Sequence, residues 1–217
     1  MNALRRQLLI AAAAGLALAR APAYAGESRL RQGVEYRDIP PQPVPAGPRI
    51  EVVEFFWYGC PHCNLLQPFL EQWLRKKPAD VEFRRVPAIF RQSWIAHARL
   101  FYTLEALDEL ERLHQAVYRA IHTEGKRLDS ADTATEWAVQ NGIDKAKFIA
   151  AYDAPEVARK VEQAIAQTRS YQIEGTPSIV VDGRYVTSSS MSESYAGVVV
   201  IVDDLVRLAR ERRPKAT

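Results

Sequence analysis

The chain has 217 residues, 47% of them hydrophobic, with 29 basic side chains, 26 acidic ones and 2 cysteines. The only charged residues among the first 25 are Arg5, Arg6 and Arg20, so the 192 residues from Gly26 to Thr217 carry 26 basic against 26 acidic side chains. That balance removes any electrostatic case for binding nucleic acid or anionic lipid, and the length suits one domain with a sizeable core.

The amino terminus reads as a targeting segment. Arg5 and Arg6 precede a 12-residue apolar run from Leu8 to Ala19, and Ala23-Tyr24-Ala25 is a small-X-small cleavage signal. Residues 1–25 are therefore expected to be a signal peptide cut after Ala25. A bilayer span would need about 20 apolar residues. Export places the two cysteines where disulfides persist.

Prolines at 40, 41, 43, 45 and 48 make the next stretch an extended lead-in, with Val34-Glu35-Tyr36 as a candidate edge strand. Ile50 to Trp57 is β-branched and aromatic, as expected for a strand covered on both faces, with Glu54 as the exception. Tyr58-Gly59 turns the chain into a helix from Pro61 to about Lys76, interrupted by Pro68, and Val81 to Ala88 is the next strand. From Ser93 to about Ser170 apolar residues recur at helical spacing, for example Ala98, Phe101 and Leu104, then Leu110, Leu113, Val117 and Ile121. Asp129 or Ser130 and then Asp144 offer helix caps, and Pro155 opens another helix. Period two returns at Ser178–Val181 and Arg184–Thr187 around an Asp182-Gly183 turn, before a last helix from about Ser192 to Arg212. The reading is an α/β fold with an inserted all-helical domain: residues 26–91 and 171–217 form the α/β unit and residues 92–170 the insertion.

Cys60 and Cys63 are the only cysteines and would close a four-residue loop. The chain-entropy argument gives such a staple only about 2 kcal/mol, so a structural disulfide is a poor explanation. A zinc site needs a second pair or suitably spaced histidines, and His97, His114 and His122 lack that spacing and read as polar-face helix residues. A thiol–disulfide redox site fits better. A sulfur at the start of a helix faces unpaired N–H groups and the positive end of the dipole, and the His62 ring beside it can donate a hydrogen bond or carry positive charge. These features favour a thiolate at Cys60. Cys63, one turn on and more buried, is placed to resolve a mixed disulfide.

Glu54-Phe55-Phe56-Trp57-Tyr58-Gly59-Cys60-Pro61-His62-Cys63, followed far later by Gly175-Thr176-Pro177, resembles the DsbA family of thioredoxin-like oxidoreductases. The resemblance implies a thioredoxin-like fold for the α/β unit and a monomeric periplasmic enzyme without cofactor or metal. It implies donation of disulfides to unfolded exported polypeptides with free cysteines, and reoxidation by a DsbB-like, quinone-linked membrane partner. It makes Cys60 the nucleophile, Cys63 the resolving thiol, Pro61-His62 the tuning dipeptide, and Thr176-Pro177 a cis-proline loop that pairs with substrate backbone. Thr176 departs from the valine frequent at that place. Glu54 matches a buried acid that relays a proton to or from Cys63, with Arg84 or Arg85 as its basic partner; the residues alone also allow a partly solvated carboxylate. Two other functions stay open: a reductase or isomerase of the same fold, and a peptide-binding chaperone using an apolar surface that includes Trp57 and Tyr58. Of those two side chains, Trp57 is the one expected in the strand core.

Overall fold

A computed structural model describes residues 30–213; the expected signal peptide lies outside them. The lead-in forms its edge strand later than expected, as β1 (Arg37–Asp38). Val34 and Glu35 sit instead in a turn, where Gly33 has a φ of +83° and Arg31 pairs with Glu35 at 2.6 Å. Backbone bonds from Val34 N and Glu35 N to the Arg31 carbonyl, at 3.0 and 3.1 Å, close this turn and take up groups a strand would have offered to the sheet.

The central strand β2 (Ile50–Phe56) is buried along its whole length. Helix α1 (Pro61–Leu74) and strand β3 (Val81–Pro87) follow, and β3 pairs parallel to β2. Five helices come next: α2 (Ile95–Ala106), α3 (Leu110–His122), α4 (Ala131–Gln140), α5 (Lys145–Tyr152) and α6 (Pro155–Ser170). Ser130 and Asp144 cap α4 and α5 by accepting from the N–H of the third helical residue, Thr133 and Lys147, as those residue types predict. The hairpin β4 (Ser178–Val181) and β5 (Tyr185–Ser188) turns on Asp182 and Gly183, both at positive φ, the conformation that a two-residue hairpin loop requires. Helix α7 (Tyr195–Arg212) ends the described chain.

The sheet order is β1-β5-β4-β2-β3, with every pairing except β2–β3 antiparallel. Alternation along β2 divides the core into two layers. Ile50 and Val52 meet Leu66, Leu70 and Trp73 of α1 and Val198, Val202 and Leu205 of α7. Val53, Phe55 and Phe56 share the other layer with Phe101 of α2, Tyr118 of α3, Trp137 of α4 and Phe148 of α5. The fold is thus thioredoxin-like, with helices on both faces of one mixed sheet. Among the described residues, no helix is long and apolar enough to cross a membrane.

Candidate active site

The end of β2 delivers the chain to Cys60, the residue that caps α1. Pro61 occupies the first helical position, where its missing N–H costs nothing. Cys60 is 7% exposed and Cys63 is fully buried; both are free thiols in this structure. The Cys60 thiol is held well below the ordinary cysteine value, at about 5. The Cys63 side chain is the largest cause of that depression, working against burial, followed by Thr176 and by the backbone N–H groups of Cys63 and His62. Those two N–H groups are the free donors of the first helical turn. Thr176 acts in both senses: its carbonyl accepts from the protonated Cys60 sulfur at 3.2 Å, while its side chain favours the ionised form. Burial, then the Cys60 sulfur and the charge of Glu54, push Cys63 far above the ordinary value. One sulfur is thus prepared to be a thiolate at neutral pH and its neighbour to keep its proton.

Beneath the cysteines lies a buried acid. Glu54 is fully buried rather than a partly solvated strand-edge group, and accepts from Gln67 Nε2 at 2.9 Å and Arg85 Nε at 3.0 Å. Register decides which arginine serves: Glu54 lies opposite Arg85 in the β2–β3 ladder, while Arg84 points to the other face and binds Glu51 at 2.7 Å. Arg85 continues to Glu71 at 2.8 Å, so a charge chain runs from the interior to a half-exposed carboxylate. Burial raises the Glu54 carboxyl despite the opposing pull of Arg85 and Gln67.

On the other side of Cys60 runs a cleft of about 620 Å³, lined by the Gly175–Ser178 loop, His62, Tyr195 and the serines from 188 to 194. The Thr176–Pro177 bond is cis, as the resemblance implied. A family model described as the DSBA-like thioredoxin domain matches residues 80–197. A thiol:disulfide interchange protein DsbA of Bordetella pertussis is 39% identical over 207 residues, 94% of this chain and 97% of that protein. The chain belongs to the DsbA family. A DsbA of Burkholderia cepacia is 37% identical over 80% of this chain and 82% of its own length. Among solved structures, Pseudomonas aeruginosa DsbA gives a TM-score of 0.79 at 36% identity, covering 82% of this chain and 94% of that one. Xylella fastidiosa oxidoreductase DsbA gives 0.78 at 32%, covering 84% and 98%. As a DsbA-family protein, this chain is a thiol:disulfide oxidoreductase.

Within this DsbA-family site, three placements differ from those expected of the sequence. The His62 ring does not bond the Cys60 sulfur; its Nδ1 lies 2.8 Å from the Tyr195 hydroxyl, and the part of His62 that lowers the Cys60 thiol is its backbone N–H. Trp57 and Tyr58 exchange roles. Trp57 lies past the end of β2, half-buried and stacked on Trp94 at 4.0 Å, while Tyr58 is 1% exposed. Gly59 makes that arrangement possible, since a Cβ there would sit 2.3 Å from the Trp57 ring.

The histidines of the helical segment are the third difference. His97 and His114 are buried rather than on a polar face. His114 Nδ1 lies 2.8 Å from the Tyr58 hydroxyl, and His122 Nε2 donates to the Tyr58 carbonyl at 2.7 Å. Helix α3 therefore grips both ends of the residue two before Cys60. The sequence did carry a signal for this: His114, Tyr118 and His122 recur every four residues and share one helical face. Among the described residues, no group of three or more His, Cys, Asp or Glu side chains could hold a metal ion.

Proposed function

We propose that the Cys60–Cys63 pair, in its oxidised form, donates a disulfide to unfolded exported polypeptides that carry free cysteines. A substrate thiolate attacks the Cys60 sulfur, the Cys60–Cys63 bond breaks, and Cys63 leaves and takes up a proton. A second substrate thiolate then attacks the substrate sulfur of the mixed disulfide, and Cys60 departs as a thiolate. The substrate gains one disulfide and the protein two electrons and one proton, with Cys60 left ionised at neutral pH. The observation that carries this reading is the acidified Cys60 sulfur lying against the Thr176 carbonyl. The better leaving group is thereby next to the backbone that an extended substrate would pair with.

In this reading Glu54 passes the proton to or from Cys63, its raised affinity for a proton matching that task. Arg85 keeps Glu54 from being an isolated buried charge. Thr176 and Pro177 bind substrate main chain, and Pro61 and His62 shape the first turn that stabilises the Cys60 thiolate. Residues 26–91 and 171–217 act as the redox unit, with residues 92–170 as the inserted helical domain. The protein works as a monomer in the periplasm after loss of residues 1–25, and a DsbB-like membrane partner returns the electrons to quinone.

The test is equilibration of the pair with glutathione, together with titration of the Cys60 thiolate absorbance. Reduction at mildly oxidising glutathione ratios and an acidic thiol are expected. A Cys60 that titrates as free cysteine does would remove the oxidase reading. Replacement of Cys60 by Ser should abolish disulfide donation to a reduced unfolded substrate; retained folding assistance would point to a chaperone.

A further inference from the structure

Tyr195 is the first residue of α7 and its position is tightly specified. Ser194 caps the helix by accepting from Gly197 N at 3.0 Å, and Ser192 Oγ donates to the Ser194 carbonyl at 2.9 Å. A Cβ on Gly197 would lie 2.4 Å from Ser192 Oγ, so a glycine lets this serine turn close. The Tyr195 ring stacks on Phe69 of α1, with centroids 6.4 Å apart and planes 25° from parallel. Its hydroxyl is thereby brought to a fixed point beside the redox site, 2.8 Å from His62 Nδ1.

His62 is exposed, and this is its only side-chain hydrogen bond among the described residues. An imidazole two residues from a thiolate would otherwise be drawn toward it, because an opposite charge within about 4–6 Å stabilises both ions. The ring is instead held on the α7 side of the cleft, and the bonds around the sulfur come from Cys63, Thr176 and the His62 backbone N–H. The hydroxyl can accept from the charged ring or donate to the neutral one, so the tie survives a change in the charge of His62. The charged groups lining the same cleft are Arg37, Glu174 and Glu193.

We propose that Tyr195 is a positioning residue that holds the His62 imidazole off the Cys60 sulfur and so limits the oxidising strength of the site. The proposal rests on the reading of Cys60 as the redox nucleophile given above. Tyr195→Phe keeps the stack on Phe69 and removes the tie. The freed ring then reaches the thiolate and stabilises the reduced form.

The experiment is a two-residue cycle on the full mature chain: wild type, Tyr195→Phe, His62→Gln and the double variant. Each is read by Cys60 thiolate titration and by the glutathione equilibrium at pH 7. Tyr195→Phe is expected to lower the Cys60 midpoint by about one unit. It should shift the glutathione equilibrium about tenfold toward the reduced protein. In the His62→Gln background the same change should do nothing. No shift, an upward shift, or an equal shift without His62 would overturn the proposal. A wild-type Cys60 with an ordinary thiol midpoint would instead overturn the underlying reading, and the two failures are distinct.

Discussion

Acidifying the protein in its two redox forms tests the thiolate argument quantitatively. In the folded reduced form Cys60 titrates at about 5. In the unfolded chain it returns to the ordinary cysteine value of about 8.5. At pH 7 the folded thiol has lost its proton and the unfolded one has kept it. The two units between 7 and 5, at about 1.36 kcal/mol each, give the reduced form about 3 kcal/mol. Because the folded value is depressed, this stability is present at high pH and is lost as pH falls through 5; little of it remains at pH 4.5. The oxidised form has no Cys60 thiol and gains nothing from this source. The loop-closure contribution of the disulfide, about 2 kcal/mol, is the same at both pH values and cancels. Denaturant unfolding of both forms at pH 7 and 4.5 should therefore show the gap between them changing by about 3 kcal/mol, against the reduced form at the lower pH. The reduction potential carries the same information. Between pH 5 and 8 reduction takes up one proton, at Cys63, for two electrons, giving a slope of about 30 mV per unit; below 5 it takes up two, giving about 59 mV per unit. A gap unchanged between the two pH values, or a slope of about 59 mV throughout, would refute the claim that Cys60 is ionised at neutral pH.

Other expectations follow from the same interactions. Because the Cys63 side chain is the largest cause of the Cys60 depression, Cys63→Ala should raise the Cys60 titration midpoint by a unit or more, seen in thiolate absorbance; an unchanged midpoint would assign the effect to Thr176 and the helix start instead. Arg85→Met leaves Glu54 buried without its counter-charge and should cost about 3–5 kcal/mol in denaturant unfolding. Adding Glu54→Gln to that variant should recover most of the loss. His97 is held neutral by burial down to about 4, against about 6.5 when unfolded. Both redox forms should therefore lose about 2 kcal/mol between pH 6.5 and 4.5 through this residue, and His97→Phe should flatten that part of the stability profile.

Much of the fold was legible because local chemistry and tertiary packing agree. The β-branched run at Ile50, the Asp182-Gly183 hairpin turn and the Ser130 and Asp144 caps each need only neighbours in sequence, and each appears within a residue or two of its expected place. The site residues were legible as residue types. Their partners were not, because partners depend on register and on distant elements. Arg84 and Arg85 are equivalent in sequence until the β2–β3 pairing puts one on each face. His62 was expected at Cys60, and only α7, 133 residues away, shows what holds it. Tyr58 turned inward and Trp57 outward because α3 offers two histidines to one and α2 begins near a flat indole for the other.

The layer of core shared by β2 and helices α2–α5 has an evolutionary consequence. Val53, Phe55 and Phe56, on the strand that leads to Cys60, are packed by side chains drawn from across the helical segment. A cassette that supplies one wall of the room in which a sulfur is tuned cannot be exchanged like a detachable module. Substitutions on the inner faces of those helices would have to repack in concert with β2, while their outer faces meet no such demand.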